Sequence, residues 1–141
     1  MNNSYVQEYS KVGMETGVAS ADPHRLILML LEGAITSIAF AKHEIQRGNR
    51  GAKGEAISKA ISIIGELDSS LDMEAGGALS ENLRGLYEYM SLQLVEANLQ
   101  NDEKILDRIT SLLGELKTGW AGIEHEVKQT FSEKVVSYGT V

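Results

Sequence analysis

The sequence predicts an all-α protein, an antiparallel up-down-up-down four-helix bundle with a short, partly ordered N-terminal segment. Three observations support this fold class. The single proline of the 141 residues is Pro23, so no proline interrupts a helix after that position. Apolar residues recur at steps of three and four along four successive stretches of the chain. Alternating runs of apolar and polar residues, which would indicate strands, are missing from the sequence.

The first predicted helix begins at Asp22 and Pro23 and ends near Gly48. The aspartate side chain can accept hydrogen bonds from the free amides of a first helical turn, and a proline at the first position loses none. A glycine is the residue most often found just after a helix ends. The apolar stripe of this helix is formed by Ile27, Leu31, Ala34, Ile38, Ala41 and Ile45.

Three further helices follow, separated by short links. Residues 48–54 are predicted to form a turn-rich connector, and residues 72–77 to break the chain between the second and third helices. Residues 98–101 are predicted to end the third helix, and Asp102 to cap the fourth. The three stripes are Ile57, Ala60, Ile64, Leu67 and Leu71; then Leu79, Leu83, Leu86, Met90, Leu94 and Ala97; then Ile105, Ile109, Leu112, Leu116, Trp120, Ile123 and Val127.

Helices of similar length with short links bury such stripes by packing antiparallel. We therefore expect an N-terminal segment over residues 1–20, which can form a short helix covering the bundle. The bundle itself is expected over residues 21–128, followed by a loose tail over residues 129–141.

Some apolar residues lie outside the stripes. Ile61 and Ile63 flank the second stripe, and Leu92 and Val95 widen the third. A broad core face and an exposed groove for a partner explain this surplus equally well. Five glycines lie inside the predicted helices: Gly33, Gly65, Gly85, Gly114 and Gly119. Each can be explained by close approach of two helices of the bundle or by room for a partner helix.

Composition argues against several classes of function. The chain has no cysteine, which excludes disulfides and thiolate chemistry, and its net charge of −7 disfavours nucleic acid and anionic membrane surfaces. The longest purely apolar run covers residues 26–31, and the N-terminus has no secretory signal pattern. We expect a cytoplasmic protein without membrane insertion.

The sequence also offers little to catalysis. None of the three histidines belongs to a Glu-x-x-His pair, so we expect no metal and no cofactor. His43 lies before an arginine–glycine pair, a weak match to phosphotransfer bundles, and is better explained as a solvated helix-end residue. The carboxylates Glu66, Asp68, Asp72 and Glu74 are explained as helix caps and solvated positions. We expect no enzyme.

Five stretches together resemble the flagellin-specific export chaperone family, FliS, from about Val6 to Trp120. They are PHRLILMLLEGA at 23–34, KGEAISKA at 53–60, SLDMEAGG at 70–77, NLRGLYEYM at 82–90 and EANL at 96–99. The chain departs from the family pattern at Asp22, where serine is usual, and at Leu31, where an aromatic residue is usual. The resemblance implies a helical chaperone that binds the disordered C-terminal segment of flagellin. It would prevent premature polymerisation and deliver flagellin to the flagellar type III export gate.

The resemblance also implies two sets of binding residues. Val6 and Tyr9 match the family's positions for contacting an export gate component, although a short apolar cover over the bundle would explain them as well. The flagellin groove is expected along the second and third helices at Ile57, Ile61, Ile64, Leu83, Tyr87 and Met90. The alternatives are a phosphotransfer or carboxylate-based bundle enzyme and a generic dimeric helical adaptor; the free protein can also be a homodimer.

Overall fold

We describe the protein from a computed structural model over residues 22–129, with side chains up to Ile123, and four helices form this part of the chain. They are α1 (Pro23–Arg47), α2 (Arg50–Ser69), α3 (Met73–Gln100) and α4 (Glu103–Gln129). No strand occurs in residues 22–129. The all-α prediction is confirmed. The division into segment, bundle and tail stays a prediction, because residues 1–20 and most of the tail lie outside the described residues.

Side-chain contacts between the helices fix their directions. Lys42 near the end of α1 donates to Asp107 near the start of α4 at 2.8 Å, so these two helices run antiparallel. Arg84 early in α3 bonds Asp68 at the end of α2 at 3.1 Å. Within the described range α1 and α3 each pack on α2 and α4, and the two diagonal pairs of helices do not meet. The bundle is therefore up-down-up-down, as predicted.

The core lies between these four helices and is aliphatic. Side chains from all four helices are fully buried in it, and the most extensive contact is between α1 and α2. The predicted stripes of α1 and α2 supply most of that interface. In α4 the core also takes Leu106 and Leu113, which the predicted stripe missed. The largest fully buried side chains are Leu30, Leu31, Ile38, Ile57, Ile63, Ile64, Leu67, Met90, Leu94, Leu106, Ile109 and Leu113.

Helix α1 begins and ends as the sequence predicts. The Asp22 side chain accepts from the amide of Arg25 at 3.2 Å, and Gly48 takes the left-handed conformation at φ 75°. The connector predicted over residues 48–54 is wrong beyond Asn49, because α2 already begins at Arg50. The Asn49 side chain caps α2 by accepting from the amide of Ala52 at 3.1 Å. The Asn49 cap and the packing of α2 against α1 together offset the cost of Gly51 and Gly54 in the helix, which is about 1 kcal/mol each.

The break predicted over residues 72–77 is also wrong in extent, since α3 begins at Met73. The Asp72 carboxylate caps it by accepting from the amides of Glu74 and Ala75. Only Gly77 departs from helical geometry, with φ 53° and ψ −127°. The Ser80 hydroxyl donates to the Asp72 carbonyl at 2.9 Å, which holds the two sides of this kink together. The kink needs a glycine, because other residues rarely adopt a positive φ.

One helix in the described part of the chain, α1, is long and apolar enough to cross a membrane by length and composition alone. A central helix of a bundle passes the same test, and α1 packs on both of its neighbours with ten of its residues buried. Its apolar character is therefore accounted for by the core.

Candidate partner-binding surface

Helix α3 carries a row of exposed aliphatic side chains on the face opposite the core. Leu92 is 70% exposed, Val95 47% and Leu99 76%, and their spacing of three and four residues puts them on one side of the helix. We call these three residues the α3 ridge. Isolated exposed aliphatics are ordinary on protein surfaces, but a continuous row indicates a surface that another chain can cover.

Beside the α3 ridge, α2 presents four small residues, flanked by the longer charged side chains of Arg50, Glu55 and Lys59. Gly51, Gly54, Ser58 and Ser62 line a shallow depression of about 480 Å³, together with Asn98 of α3. A Cβ added at Gly54 would meet no atom within 4 Å. We call these five residues the α2 groove. The small residues leave room for a second helix between the flanking charged side chains, so the α2 groove and the α3 ridge together have the form of a helix-binding surface.

The glycines farther along the bundle extend this open surface. An added Cβ at Gly65 of α2 or Gly85 of α3 would also meet nothing within 4 Å. The same holds for Gly114 and Gly119, so close helix approach is the wrong explanation for these four glycines. Gly33, the fifth, is buried in α1.

Acidic side chains border the α3 ridge. Glu88 and Glu96 lie four residues before and after Leu92, on the same side of the helix. Glu96 accepts a hydrogen bond from Gln100, one turn farther on. The surface is therefore negative at its α3 edge, whereas Arg50 and Lys59 place positive charge at its α2 edge.

Four of the six residues expected to line the groove are in the core instead. Ile57, Ile64, Tyr87 and Met90 are all buried in the free protein, and their role as client contacts stays a prediction. The reason is that they belong to the stripes that α2 and α3 turn toward each other and toward the other helices. Client contact through them would require the helices to separate.

Ile61 and Leu83 remain accessible in part. Both are half-buried and pack against the edge of the core. Their role as client contacts stays a prediction. Val6 and Tyr9, the expected export-gate contacts, lie outside the described residues.

Tyr87 shows how fully the α2–α3 interface excludes water. Burial raises the pKa of its phenol to about 12, with a smaller contribution from the nearby Asp68 carboxylate. The desolvated phenol therefore stays neutral at any physiological pH. It acts as a packing residue and has no acid–base role.

Other exposed apolar residues are scattered around the bundle. Phe40 of α1 is half-exposed at a depression between α1 and α2, and Leu79 and Tyr89 are exposed on α3. Phe40 was not distinguished by the sequence pattern, because it lies off the stripe of a strongly apolar helix. Leu92 and Val95 were found as surplus apolar positions.

The groups considered for catalysis have structural roles or lie apart. Asp72 caps α3, Asp68 pairs with Arg84, and His43 is exposed on α1. Within the part of the chain that the structure describes, no group of three or more potential metal-ligating side chains comes together. The surface that stands out is the α3 ridge with the α2 groove, which can bind a chain but carries no reactive centre.

Comparison with known proteins agrees with this picture. Residues 5–127 match the family model described as "Flagellar protein FliS". The chain is 47% identical to the flagellar secretion chaperone FliSB of Pseudomonas aeruginosa, over 85% of this chain and 95% of that protein. It is 40% identical to the flagellar secretion chaperone FliS of Salmonella typhimurium, over 92% of this chain and 96% of that protein. The FliS of Vibrio cholerae is 39% identical over 86% of this chain and 89% of its own length.

Proposed function

The chain belongs to the FliS family of flagellar secretion chaperones, and on that premise we propose that it binds the C-terminal segment of flagellin in the cytoplasm. Binding would keep flagellin from polymerising prematurely and deliver it to the flagellar type III export gate. The relatives are named as chaperones, so the protein is not an enzyme, and the phosphotransfer and carboxylate-enzyme alternatives are set aside.

The observation that supports flagellin binding is the α3 ridge beside the α2 groove. Three aliphatic side chains at helical spacing are exposed there, and small residues leave space next to them. Burying one leucine side chain contributes roughly 1.5–3 kcal/mol. The ridge therefore offers a helical segment three apolar anchors at helical spacing.

The charged borders favour a client segment that carries opposite charges on the two sides of its apolar face. Lysine or arginine on one side would gain from Glu88 and Glu96 of α3, and an acidic residue on the other side would gain from Arg50 and Lys59 of α2. We expect the affinity for the flagellin segment to fall as ionic strength rises, because these border charges lie at the surface, with Glu88 exposed and Glu96 partly exposed.

The test is to place charges on the ridge. We expect Leu92→Glu combined with Leu99→Glu to weaken binding of a flagellin C-terminal fragment at least roughly tenfold, measured by isothermal titration calorimetry. Both side chains are exposed, so the melting temperature should change little. The matched control is Ser111→Glu with Thr118→Glu, which adds the same charge at exposed positions of α4. Equal affinity of the ridge variant and the control would rule out the ridge as the flagellin site.

Delivery to the export gate is a separate part of the proposal and rests on Val6 and Tyr9. We expect Val6→Ala with Tyr9→Ala to reduce flagellin secretion while the affinity for flagellin is retained. Gln7→Ala with Glu8→Ala, which changes the polar residues between them, is the control. Normal secretion by the Val6/Tyr9 variant would remove this part of the proposal and leave the flagellin site untouched.

The free protein can use the same ridge to form a homodimer. Two copies would bring Glu88 and Glu96 of one protomer close to the same residues of the other, so self-association is expected to be weak and to strengthen with salt. Analytical ultracentrifugation with and without the flagellin fragment measures the molar mass. A dimer that uses the ridge should give way to a complex of one chaperone with one fragment, whereas a dimer formed elsewhere should stay a dimer when the fragment binds.

A further inference from the structure

Lys53 joins the first turn of α2 to the last turn of α3. The residue is only 7% exposed, although lysine is rarely buried in proteins unless its charge is paired. Its ammonium donates to the Asn98 carbonyl at 2.8 Å and to the Asn101 side-chain oxygen at 2.7 Å. Both acceptors belong to the C-terminal end of α3, where the helix dipole favours a positive charge. One side chain of α2 therefore ties down the end of another helix.

The position is unfavourable for α2 itself. A positive charge in the first turn of a helix opposes the helix dipole, and a buried ammonium costs free energy unless its hydrogen bonds are made. The last carbonyls of α3, in contrast, need donors from outside that helix. The Ala97 carbonyl accepts from the amides that follow the helix, and the Asn98 carbonyl accepts from Lys53. Lys53 therefore completes the end of α3 rather than the start of α2.

The end of α3 that Lys53 holds belongs to the proposed client surface. Asn98 lines the α2 groove, and the next residue, Leu99, is the most exposed member of the α3 ridge. On the α2 side of the groove, a Cβ added at Gly54 would meet no atom within 4 Å, so no interlocking side chain holds the two helices at that position. The hydrogen bonds of Lys53 supply the connection at this end of the groove.

We propose that Lys53 is a positioning residue for client binding, which fixes the last turn of α3, and with it Leu99, against the first turn of α2. This role rests on the proposed binding of flagellin to the α3 ridge. Because Leu99 is already ordered in the free protein, a client helix that covers it loses less conformational entropy on binding. Without Lys53 the Asn98 carbonyl loses its donor, and the last turn of α3 frays.

Amide hydrogen exchange of the free protein tests the ordering of α3. Lys53→Met replaces the ammonium with an apolar thioether of similar length. We expect the amides of Asn101 and Asp102 to exchange at least about tenfold faster in this variant, because hydrogen bonds to a charged group are lost, while Met90 in the middle of α3 keeps its rate. Lys104→Met, which removes an exposed lysine of α4, is the control. Equal exchange at Asn101 and Asp102 in the two variants would mean that Lys53 does not order the end of α3.

A double-mutant cycle tests the link to the client, with calorimetry of the flagellin C-terminal fragment as the measurement. We expect Lys53→Met to weaken binding about fivefold or more, which is part of what burial of one leucine contributes. The loss should nearly vanish in a Leu99→Ala background, because Lys53 acts through Leu99, and should persist in a Leu92→Ala background. A variant that is only destabilised would lose the same affinity in both backgrounds, and that result would overturn the positioning role.

Asn101→Gly disturbs the same contact from the α3 side. Asn101 has φ 53°, a conformation that glycine adopts readily, so this variant keeps the turn and removes one acceptor of Lys53. We expect its affinity for the fragment to fall, with the loss again dependent on Leu99. A parent protein that does not bind the fragment would contradict the proposed function, and the exchange measurement would still decide whether Lys53 orders α3. If the parent binds, equal affinity of the parent, Lys53→Met and Asn101→Gly would refute the role of Lys53 alone.

Discussion

His24 and Trp120 are 96 positions apart in the sequence, yet each donates a hydrogen bond to the main chain of the other. His24 Nε2 lies 2.6 Å from the Trp120 carbonyl, and Trp120 Nε1 donates to the His24 carbonyl at 2.9 Å. Their rings are stacked, with centroids 4.7 Å apart and planes at 11°. Because a carbonyl only accepts, His24 Nε2 must carry the proton. We call the two hydrogen bonds and the stacked rings together the His24–Trp120 clasp, which joins the start of α1 to the C-terminal half of α4.

We expect Trp120→Phe to lower the free energy of unfolding by about 1–3 kcal/mol. The variant keeps an aromatic ring but loses the Nε1 donor and part of the buried area. Urea denaturation followed by circular dichroism measures the change. Phe40→Leu is a suitable control, since Phe40 is a half-exposed aromatic residue outside the clasp. A Trp120→Phe variant as stable as the parent would mean that the clasp contributes nothing to the bundle.

The sequence could predict the helices because helix ends are local. Asp22 is predicted as a cap from its own side chain and the proline beside it, and the structure confirms the bond to Arg25. The link between α1 and α2 was predicted too long, because glycines at 51 and 54 suggest a turn. Their helical state depends on packing against α1 and on the Asn49 cap, and neither of these can be read from glycine content. The His24–Trp120 clasp is likewise a tertiary contact that no local pattern contains.

The alkaline stability of the protein should reflect the burial of Tyr87. Its phenol ionises near 10.0 when exposed and near 12 in the folded protein, so the folded state holds the proton more tightly. The stability that comes from keeping the Tyr87 phenol neutral is fully present below pH 10. It is lost between pH 10 and 12, because in that window the phenol ionises in the unfolded chain but not yet in the folded protein. The free energy of unfolding should fall by up to about 3 kcal/mol over this window.

Tyr87→Phe should remove this component of the pH dependence, as measured by denaturant unfolding at a series of pH values. Tyr89→Phe is the matched control, because Tyr89 is exposed two positions away and should leave the profile unchanged. If the two variants follow the same profile between pH 10 and 12, then Tyr87 is not protected from ionisation in the fold.

The candidate surface was only partly predictable, for a physical reason. Surplus apolar residues on two helices were compatible with either a broad core or an exposed groove. Both explanations apply, on different helices: Ile63 of α2 is fully buried, while Leu92 and Val95 of α3 are exposed. Every helix meets two neighbours, but α2 shares the most extensive interface of the bundle with α1, whereas the interfaces of α3 with α2 and α4 are smaller. Periodicity shows which residues share a face, but it does not show which neighbour covers that face.

Substitutions at Gly85 should affect the stability of the free protein and its affinity for a client in different ways. It lies seven residues before Leu92 on the same side of α3, and an added Cβ meets nothing within 4 Å. We expect Gly85→Ala to raise the free energy of unfolding by up to about 1 kcal/mol, because alanine favours the helix. Gly85→Trp should leave the fold intact but weaken flagellin binding by blocking the approach of the client helix. Gly122→Trp on α4 is the control, and equal flagellin affinity of the two tryptophan variants would exclude this part of α3 from the site.

Ile61 and Ile64 allow the core to be distinguished from the groove on a single helix. Ile64 is fully buried, so Ile64→Glu places an unpaired charge in the core and should cost more than about 4 kcal/mol, enough to unfold most of the protein. Ile61 is only half-buried at the edge of the core. In Ile61→Glu the longer glutamate side chain can therefore turn its carboxylate toward water. We expect that variant to stay folded by circular dichroism and to lose flagellin affinity in calorimetry. A folded Ile61→Glu protein that binds flagellin like the parent would restrict the client site to the α3 ridge, because the edge of α2 would then make no contact that a charge can disturb.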